Sequence, residues 1–113
     1  KAEKITEDCT GITVGICFNY GGELEIAEAA TIAARVDGEI TPETIRKHLY
    51  HPEIPDVDMV VRTSGEERIS GFMLWRASYA EFFFMKKFFP EIVPEDMDLI
   101  IEEYENRHRR FGK

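Results

Sequence analysis

The stretch RTSGEERIS, residues 62–70, sets two arginines, two glutamates, three small hydroxyls and a glycine side by side. Arginine presents a rigid, permanently charged fork of donors that grips two oxygens of a carboxylate or phosphate. Thr63, Ser64 and Ser70 add hydroxyl donors, and Gly65 lets the backbone turn and come close to a ligand. Arg62 and Arg68 can therefore hold a polyanion such as a diphosphate. They can equally pair with Glu66 and Glu67 on a solvated loop.

Glu81 follows WRASYA and stands among aromatics, where an unpaired carboxylate is costly. It is a candidate ligand for Mg²⁺, which takes one or two protein carboxylates and completes its octahedron with phosphate and water. The alternative is a carboxylate paired with Arg76 or Lys86. The run FFFMKKFF at residues 82–89 reads as core or subunit interface, with the lining of a lipid tunnel as the second reading. His48 and His51 lack a third ligand nearby and read as surface residues. NRHRRFG, residues 106–112, sets arginines at a helix end, where the dipole favours cations; they can also extend a basic site.

These groups need elements to position them. Residues 11–20, GITVGICFNY, predict a buried strand that ends at Gly21-Gly22. Residues 23–36 predict a helix with Leu24, Ala27, Ala30, Thr31 and Ala34 on its apolar stripe. Thr41-Pro42-Glu43 is an N-cap followed by a first-turn proline and an acid, so a short helix runs to about Leu49. VDMVV at residues 57–61 predicts a second buried strand. Residues 72–79 predict a short helix, and residues 81–85 a third strand or a continuation of that helix. A last helix spans about 95–110, with Met97, Ile100, Ile101, Tyr104 and Phe111 on one side. Strands alternating with helices predict an α/β fold, a partial and mostly parallel sheet flanked by helices. In such sheets ligands gather at the carboxyl ends of strands, where NYGGE and RTSGEERIS both fall.

The 113 residues suffice for one domain with a modest core. A net charge of −8 excludes the broad basic face that duplex nucleic acid needs, so no nucleic acid is expected as a partner. It does not exclude a small phosphorylated ligand, which asks only for a local basic cluster. Cys9 and Cys17 lack metal-ligand spacing and read as reduced core residues of an intracellular protein. No apolar run approaches the roughly 20 residues that cross a bilayer.

Three stretches together resemble the cis-prenyltransferases, the family of undecaprenyl diphosphate synthase. DMVVRTSGEERISGFMLWRASYAEFFF is similar to that family's long signature, FNYGGELEI to its earlier glycine-containing stretch, and RHRRFG to its arginine-x-glycine ending. The resemblance runs from about residue 12 to residue 112. It implies a transferase that condenses isopentenyl diphosphate with an allylic diphosphate to make a cis-polyprenyl chain, with Mg²⁺ as cofactor. It implies that Arg62, Arg68, Ile69 and Ser70 bind isopentenyl diphosphate and that Glu81 helps hold Mg²⁺. Arg110 and Gly112 would reach the diphosphate across a homodimer interface. The implied location is cytoplasmic, with the lipid product bringing the enzyme to the membrane surface.

Glu23, Glu67 and Gly71 depart from the family pattern, where arginine, histidine or another polar residue, and asparagine are common. The aspartate–glycine–asparagine–x–arginine loop that holds the allylic substrate and supplies the essential aspartate is not in this sequence. The chain is thus expected to be the C-terminal part of such an enzyme, inactive alone, with no catalytic residue of its own. The alternative is a non-catalytic partner subunit of a cis-prenyltransferase complex.

Overall fold

The computed structural model describes residues 2–107. Helix α1 (Ala2–Thr6) is a single exposed turn and a half, and an extended segment leads from it to α2 (Gly22–Val36). Then come α3 (Pro42–Lys47), β1 (Met59–Arg62), β2 (Glu81–Phe84), a 3₁₀ turn at Phe89–Glu91 and α4 (Pro94–Asn106). The two strands pair in parallel, Met59 opposite Glu81 and Arg62 opposite Phe84. The mostly parallel α/β architecture expected from the sequence is present, with a sheet of two strands.

Local signals explain the helices that form. At α3, the Thr41 hydroxyl accepts from the Thr44 amide at 3.2 Å and the Thr44 hydroxyl accepts from the Thr41 amide at 2.8 Å, a reciprocal cap with Pro42 in the first turn. Asp96 caps α4 by accepting from the Val93 amide at 3.0 Å, and Lys87 ties the same carboxylate to the end of β2 at 2.6 Å. That lysine holds the Asp96 carboxyl below its ordinary range.

The buried face of α2 is not the expected stripe. Gly22, Glu25, Ala29 and Ala33 point inward, one turn apart, and Leu24 is exposed. Glu25 decides the rotation. Its carboxylate is 1% exposed, accepts the Tyr50 amide at 3.0 Å and the Tyr20 hydroxyl, and lies 3.9 Å from the guanidinium of Arg76, which is itself 2% exposed. Arg76 also donates to the carbonyls of Ile54 and Tyr50, both at 2.6 Å, and of His51 at 3.1 Å. Burial and the adjacent Glu25 carboxylate push the Tyr20 phenol above its usual value.

Four further expectations are corrected. Residues 11–20 form no strand: the segment pairs with neither β1 nor β2, and Ile12, Val14, Ile16 and Phe18 are 75–93% exposed. Cys9 and Cys17 are consequently exposed, free thiols rather than core residues. Residues 72–79 are a run of turns instead of a helix, since Gly71 and Met73 adopt φ of 78° and 51°. His48 is half-buried, not a plain surface residue, with Nε2 2.5 Å from Asp37 Oδ2; Lys47 Nζ lies 2.5 Å from the other oxygen. This cluster joins the ends of α2 and α3 and holds the Asp37 carboxyl below its ordinary value, the Lys47 bond first and the His48 bond second. No helix among the described residues is long and apolar enough to cross a membrane.

Removing one member of the buried pair leaves the other charge stranded. Glu25→Ala is therefore expected to cost ~3–5 kcal/mol in chemical denaturation, with Glu25→Gln costing less because its oxygen can still accept the Tyr50 amide. Asp37 has a folded-state pKa below its unfolded one, so its contribution is complete above the unfolded value and fades as pH falls through the folded one. Asp37→Asn should lower stability at neutral pH, and the gap to the parent chain should close on acidification into the carboxylate range, measured by urea midpoints across pH.

Candidate functional site

Two polar loops meet at the carboxyl end of β1. The Gly22 amide donates to the Gly71 carbonyl at 3.1 Å, bringing the amino end of α2 against the loop that follows the arginines. A Cβ on Gly22 would sit 2.2 Å from that carbonyl oxygen, so only glycine permits this approach. Tyr20 packs edge-on against Phe72, ring centroids 5.8 Å apart, and against Tyr50 at 6.3 Å. The glycine-containing motifs, separate in sequence, thus become one surface.

Arg62 is the last residue of β1. Its Nη1 donates to the Ser70 hydroxyl at 3.1 Å and to the carbonyl of Arg68, closing the loop on itself. The loop is also pinned over β2: the Ser64 amide donates to the Lys87 carbonyl and the Gly65 amide to the Met85 carbonyl, each at 2.8 Å. Ser64, Gly65, Ser70, Gly71 and Met73 all adopt positive φ, a concentration of costly backbone for the non-glycine members that surrounding contacts must sustain. Beside Arg62 lies an apolar hollow of about 300 Å³ lined by Val57, Met59, Val60, Val61, Ile69 and Phe72.

The remaining expected residues are placed differently. Arg68 is exposed and ion-paired with Glu66, the loop pairing that the sequence left open. Glu81 begins β2, opposite Met59, whereas Arg62 ends β1, opposite Phe84. At ~3.3 Å per residue the two stand about 10 Å apart along the strands. Arg62 and Ser70 are brought together; Glu81 is not brought to them within this chain. Arg110 and Gly112 lie outside the described residues.

Glu81 pairs with neither Arg76 nor Lys86. Its Oε2 receives Nη1 of Arg107 at 2.9 Å, and that guanidinium also donates to the Phe82 carbonyl at 3.2 Å, pairs with Glu103, and sits 4.0 Å from the centroid of the Phe83 ring. The bonds to Glu103 and then Glu81 raise the Arg107 pKa further, so it is a fixed positive charge. The sequence reading took Arg107 only as one of the arginines at the helix end and missed its pairing with Glu81, for which the one local signal was its place four residues after Glu103. The described residues hold no group of three or more His, Cys, Asp or Glu side chains able to cage a metal. One carboxylate still fits Mg²⁺, which keeps most of its water and substrate oxygens.

The profile of the undecaprenyl diphosphate synthase family matches residues 1–112. The chain is 49% identical to a decaprenyl diphosphate synthase of Mycolicibacterium smegmatis over 99% of its own length and 41% of that protein. It is 43% identical to a trans,polycis-polyprenyl diphosphate synthase ((2Z,6E)-farnesyl diphosphate specific) of Thermobifida fusca, again over 99% of this chain and 42% of the relative. The chain thus spans about two-fifths of the length of these relatives. In structure it superposes on a probable undecaprenyl diphosphate synthase from Campylobacter jejuni with a TM-score of 0.89 at 35% identity, covering 98% of this chain and 52% of that one. Lavandulyl diphosphate synthase from Lavandula x intermedia, solved with dimethylallyl diphosphate, aligns at 0.71 and 35% identity over 83% of this chain and 44% of that one.

The bracket around Glu81 is testable without any ligand. Arg107→Ala removes an ion pair and a ring contact that are only partly exposed, and should lower stability by ~1–2 kcal/mol. Arg107→Lys should recover the charge but not the fork, and so restore only part of the loss in the same denaturation series.

Proposed function

The chain belongs to the undecaprenyl diphosphate synthase family, and from that premise we propose that it carries the isopentenyl diphosphate-binding part of a cis-prenyltransferase. In the assembled enzyme it would condense isopentenyl diphosphate with an allylic diphosphate. The observation that carries this reading is the Arg62–Ser70 pair at the carboxyl end of β1, with the apolar hollow beside it. A diphosphate would take the guanidinium and the hydroxyl, and the five-carbon tail would find the apolar wall.

Each residue then has a defined task. Arg62 supplies paired donors, and on ligand arrival its bonds to Ser70 and the Arg68 carbonyl give way to phosphate oxygens. Ser70 and the amide of Ile69 stand on the same loop and orient the diphosphate. Arg68, now paired with Glu66 in solvent, would swing from that carboxylate to the phosphate. The amino end of α2, held against Gly71, adds favourable dipole for an anion. Bound Mg²⁺ would offset the negative charge that develops on the departing diphosphate. Glu81 would be this chain's ligand for it, with its Oε2 oriented by Arg107. Because Arg62 and Glu81 lie at opposite ends of the sheet, they serve one centre only if a second copy or another part of the enzyme completes it.

A homodimer fits this requirement, and the exposed Phe84, Phe88, Phe89 and Val93 supply apolar surface for one. A non-catalytic partner subunit is the second reading. The internal pairing of Arg68 with Glu66 and of Glu81 with Arg107 favours it, since both charges are satisfied without ligand.

Kinetics and calorimetry in the assembled enzyme separate the two. Arg62→Ala should weaken isopentenyl diphosphate by ~2–3 kcal/mol, while Arg68→Ala costs less because that side chain starts in solvent. Glu81→Gln should lower kcat steeply and raise the Mg²⁺ concentration at half-maximal rate, with isopentenyl diphosphate affinity nearly unchanged. If Glu81→Gln alters neither kcat nor the Mg²⁺ requirement, the partner-subunit reading stands instead.

A further inference from the structure

Tyr20 belongs to two neighbourhoods at once. Phe18 is 93% exposed, yet Tyr20 is half-buried two residues on, the chain turning at Asn19 with φ of 52°. The Tyr20 hydroxyl donates to Oε2 of Glu25, the buried carboxylate whose other oxygen accepts the Tyr50 amide at 3.0 Å. Burial first, and that hydrogen bond second, push the phenol above its usual value, so the hydroxyl stays a donor through the neutral range.

The ring of the same residue lies edge-on to Phe72, with centroids 5.8 Å apart and planes at 74°. Among the described residues, the hollow beside Arg62 is walled by aliphatic side chains, Met59 and one aromatic ring, that of Phe72. Phe72 is 44% exposed, and its neighbours Gly71 and Met73 both adopt positive φ. A ring this open to solvent has several rotamers available, and a fixed neighbour selects among them.

We propose that Tyr20 is a positioning residue for the hydrocarbon tail of isopentenyl diphosphate: anchored on Glu25, it fixes the Phe72 ring and so shapes the hollow against longer tails. The inference deepens the reading of this hollow as the tail site and rests on it. Arg62 and Ser70 meet only the diphosphate, which is the same on any such ester, so they cannot tell five carbons from six. The wall must do so, and one methylene in a hydrophobic pocket is worth about 10–200-fold in specificity. A wall discriminates only if it does not yield. Without Tyr20 behind it, the Phe72 ring would turn outward and admit the longer tail.

The test is steady-state kinetics in the assembled enzyme. It compares isopentenyl diphosphate with its one-carbon homologue, 3-ethylbut-3-enyl diphosphate, and uses inorganic diphosphate as an inhibitor competitive with isopentenyl diphosphate. The parent should prefer the five-carbon substrate by about tenfold or more in kcat/KM. Tyr20→Leu should cut that preference about fivefold and raise KM for isopentenyl diphosphate, with kcat held within about twofold. Tyr20→Phe keeps the ring but loses its anchor and should fall between the two; it decides the matter if Tyr20→Leu does not fold. The inhibition constant of inorganic diphosphate should stay within about twofold in both, since it reports Arg62 and Ser70 alone. Phe72→Leu should reproduce Tyr20→Leu, and the double variant should add nothing to either.

An inhibition constant that rises in step with KM overturns the proposal, because Tyr20 then supports the fold of the whole loop. An unchanged preference in the Tyr20 variants overturns it, as does full additivity with Phe72→Leu. A different result marks failure of the underlying reading: a parent enzyme that uses both tails equally, and binds inorganic diphosphate as tightly as isopentenyl diphosphate, holds no tail in this hollow, and the proposal falls with it.

Discussion

The buried pair of Glu25 and Arg76 holds the rest of the molecule in register. Each is almost without solvent, and each is satisfied by groups from several parts of the chain. Glu25 collects the Tyr20 hydroxyl before α2 and the Tyr50 amide after α3. Arg76 collects three carbonyls from the 50–54 turn, while its own carbonyl accepts the Val57 amide at 3.0 Å on the approach to β1. In a low-dielectric interior these bonds are strong, and any of them left unmade would expose a bare polar group to apolar surroundings. Among the described residues the buried apolar ones are Ala29, Ala33, Leu49, Ala77, Phe83 and Ile100, few in number and half of them alanine. Packing alone therefore does not dictate the path of residues 50–58; the charge cluster does.

From that anchor the geometry of the arginine loop follows. Tyr20, fixed by Glu25, sets the position of the glycine pair, and Gly22 closes on Gly71. Arg62 then folds the intervening residues back onto its own guanidinium. The loop spends several positive-φ positions on a conformation that a random sequence would avoid, and it keeps them because both its ends are tied to β2 and α2. These ties fix the Ser70 hydroxyl beside the Arg62 guanidinium, so the backbone of the proposed diphosphate site is ordered before any ligand is bound.

The second charged site obeys a different logic. Glu81 is held by a cation that is itself held by a carboxylate, a carbonyl and an aromatic face. Arg107 couples the end of α4 to the first residue of β2. The two strands thus carry the candidate site residues at opposite ends, Arg62 at the carboxyl end of β1 and Glu81 at the amino end of β2. A parallel ladder enforces that separation, because residues at opposite ends of adjacent strands cannot be brought level without breaking the register.

Read alone, the sequence determined the elements whose signals are local. Thr41-Pro42 announced α3, the alanine- and glutamate-rich run announced α2, the apolar spacing of Met97, Ile100, Ile101 and Tyr104 announced α4, and VDMVV followed by arginine announced β1 and the loop beyond it. Arg62 and Ser70 were legible as members of one polar stretch, with Gly65 between them for a turn, but not as each other's hydrogen-bond partners. The tertiary structure decided everything that depends on a partner distant in sequence. It rotated α2 to bury Glu25 rather than the predicted stripe, since an acid is buried only when another segment supplies the donors. It gave Glu81 to Arg107, 26 residues away, and Arg68 to Glu66, two away, a choice between ligand and loop that composition left open. It left residues 11–18 unpaired, because strand propensity belongs to a segment whereas a strand exists only beside a neighbour that hydrogen-bonds to it.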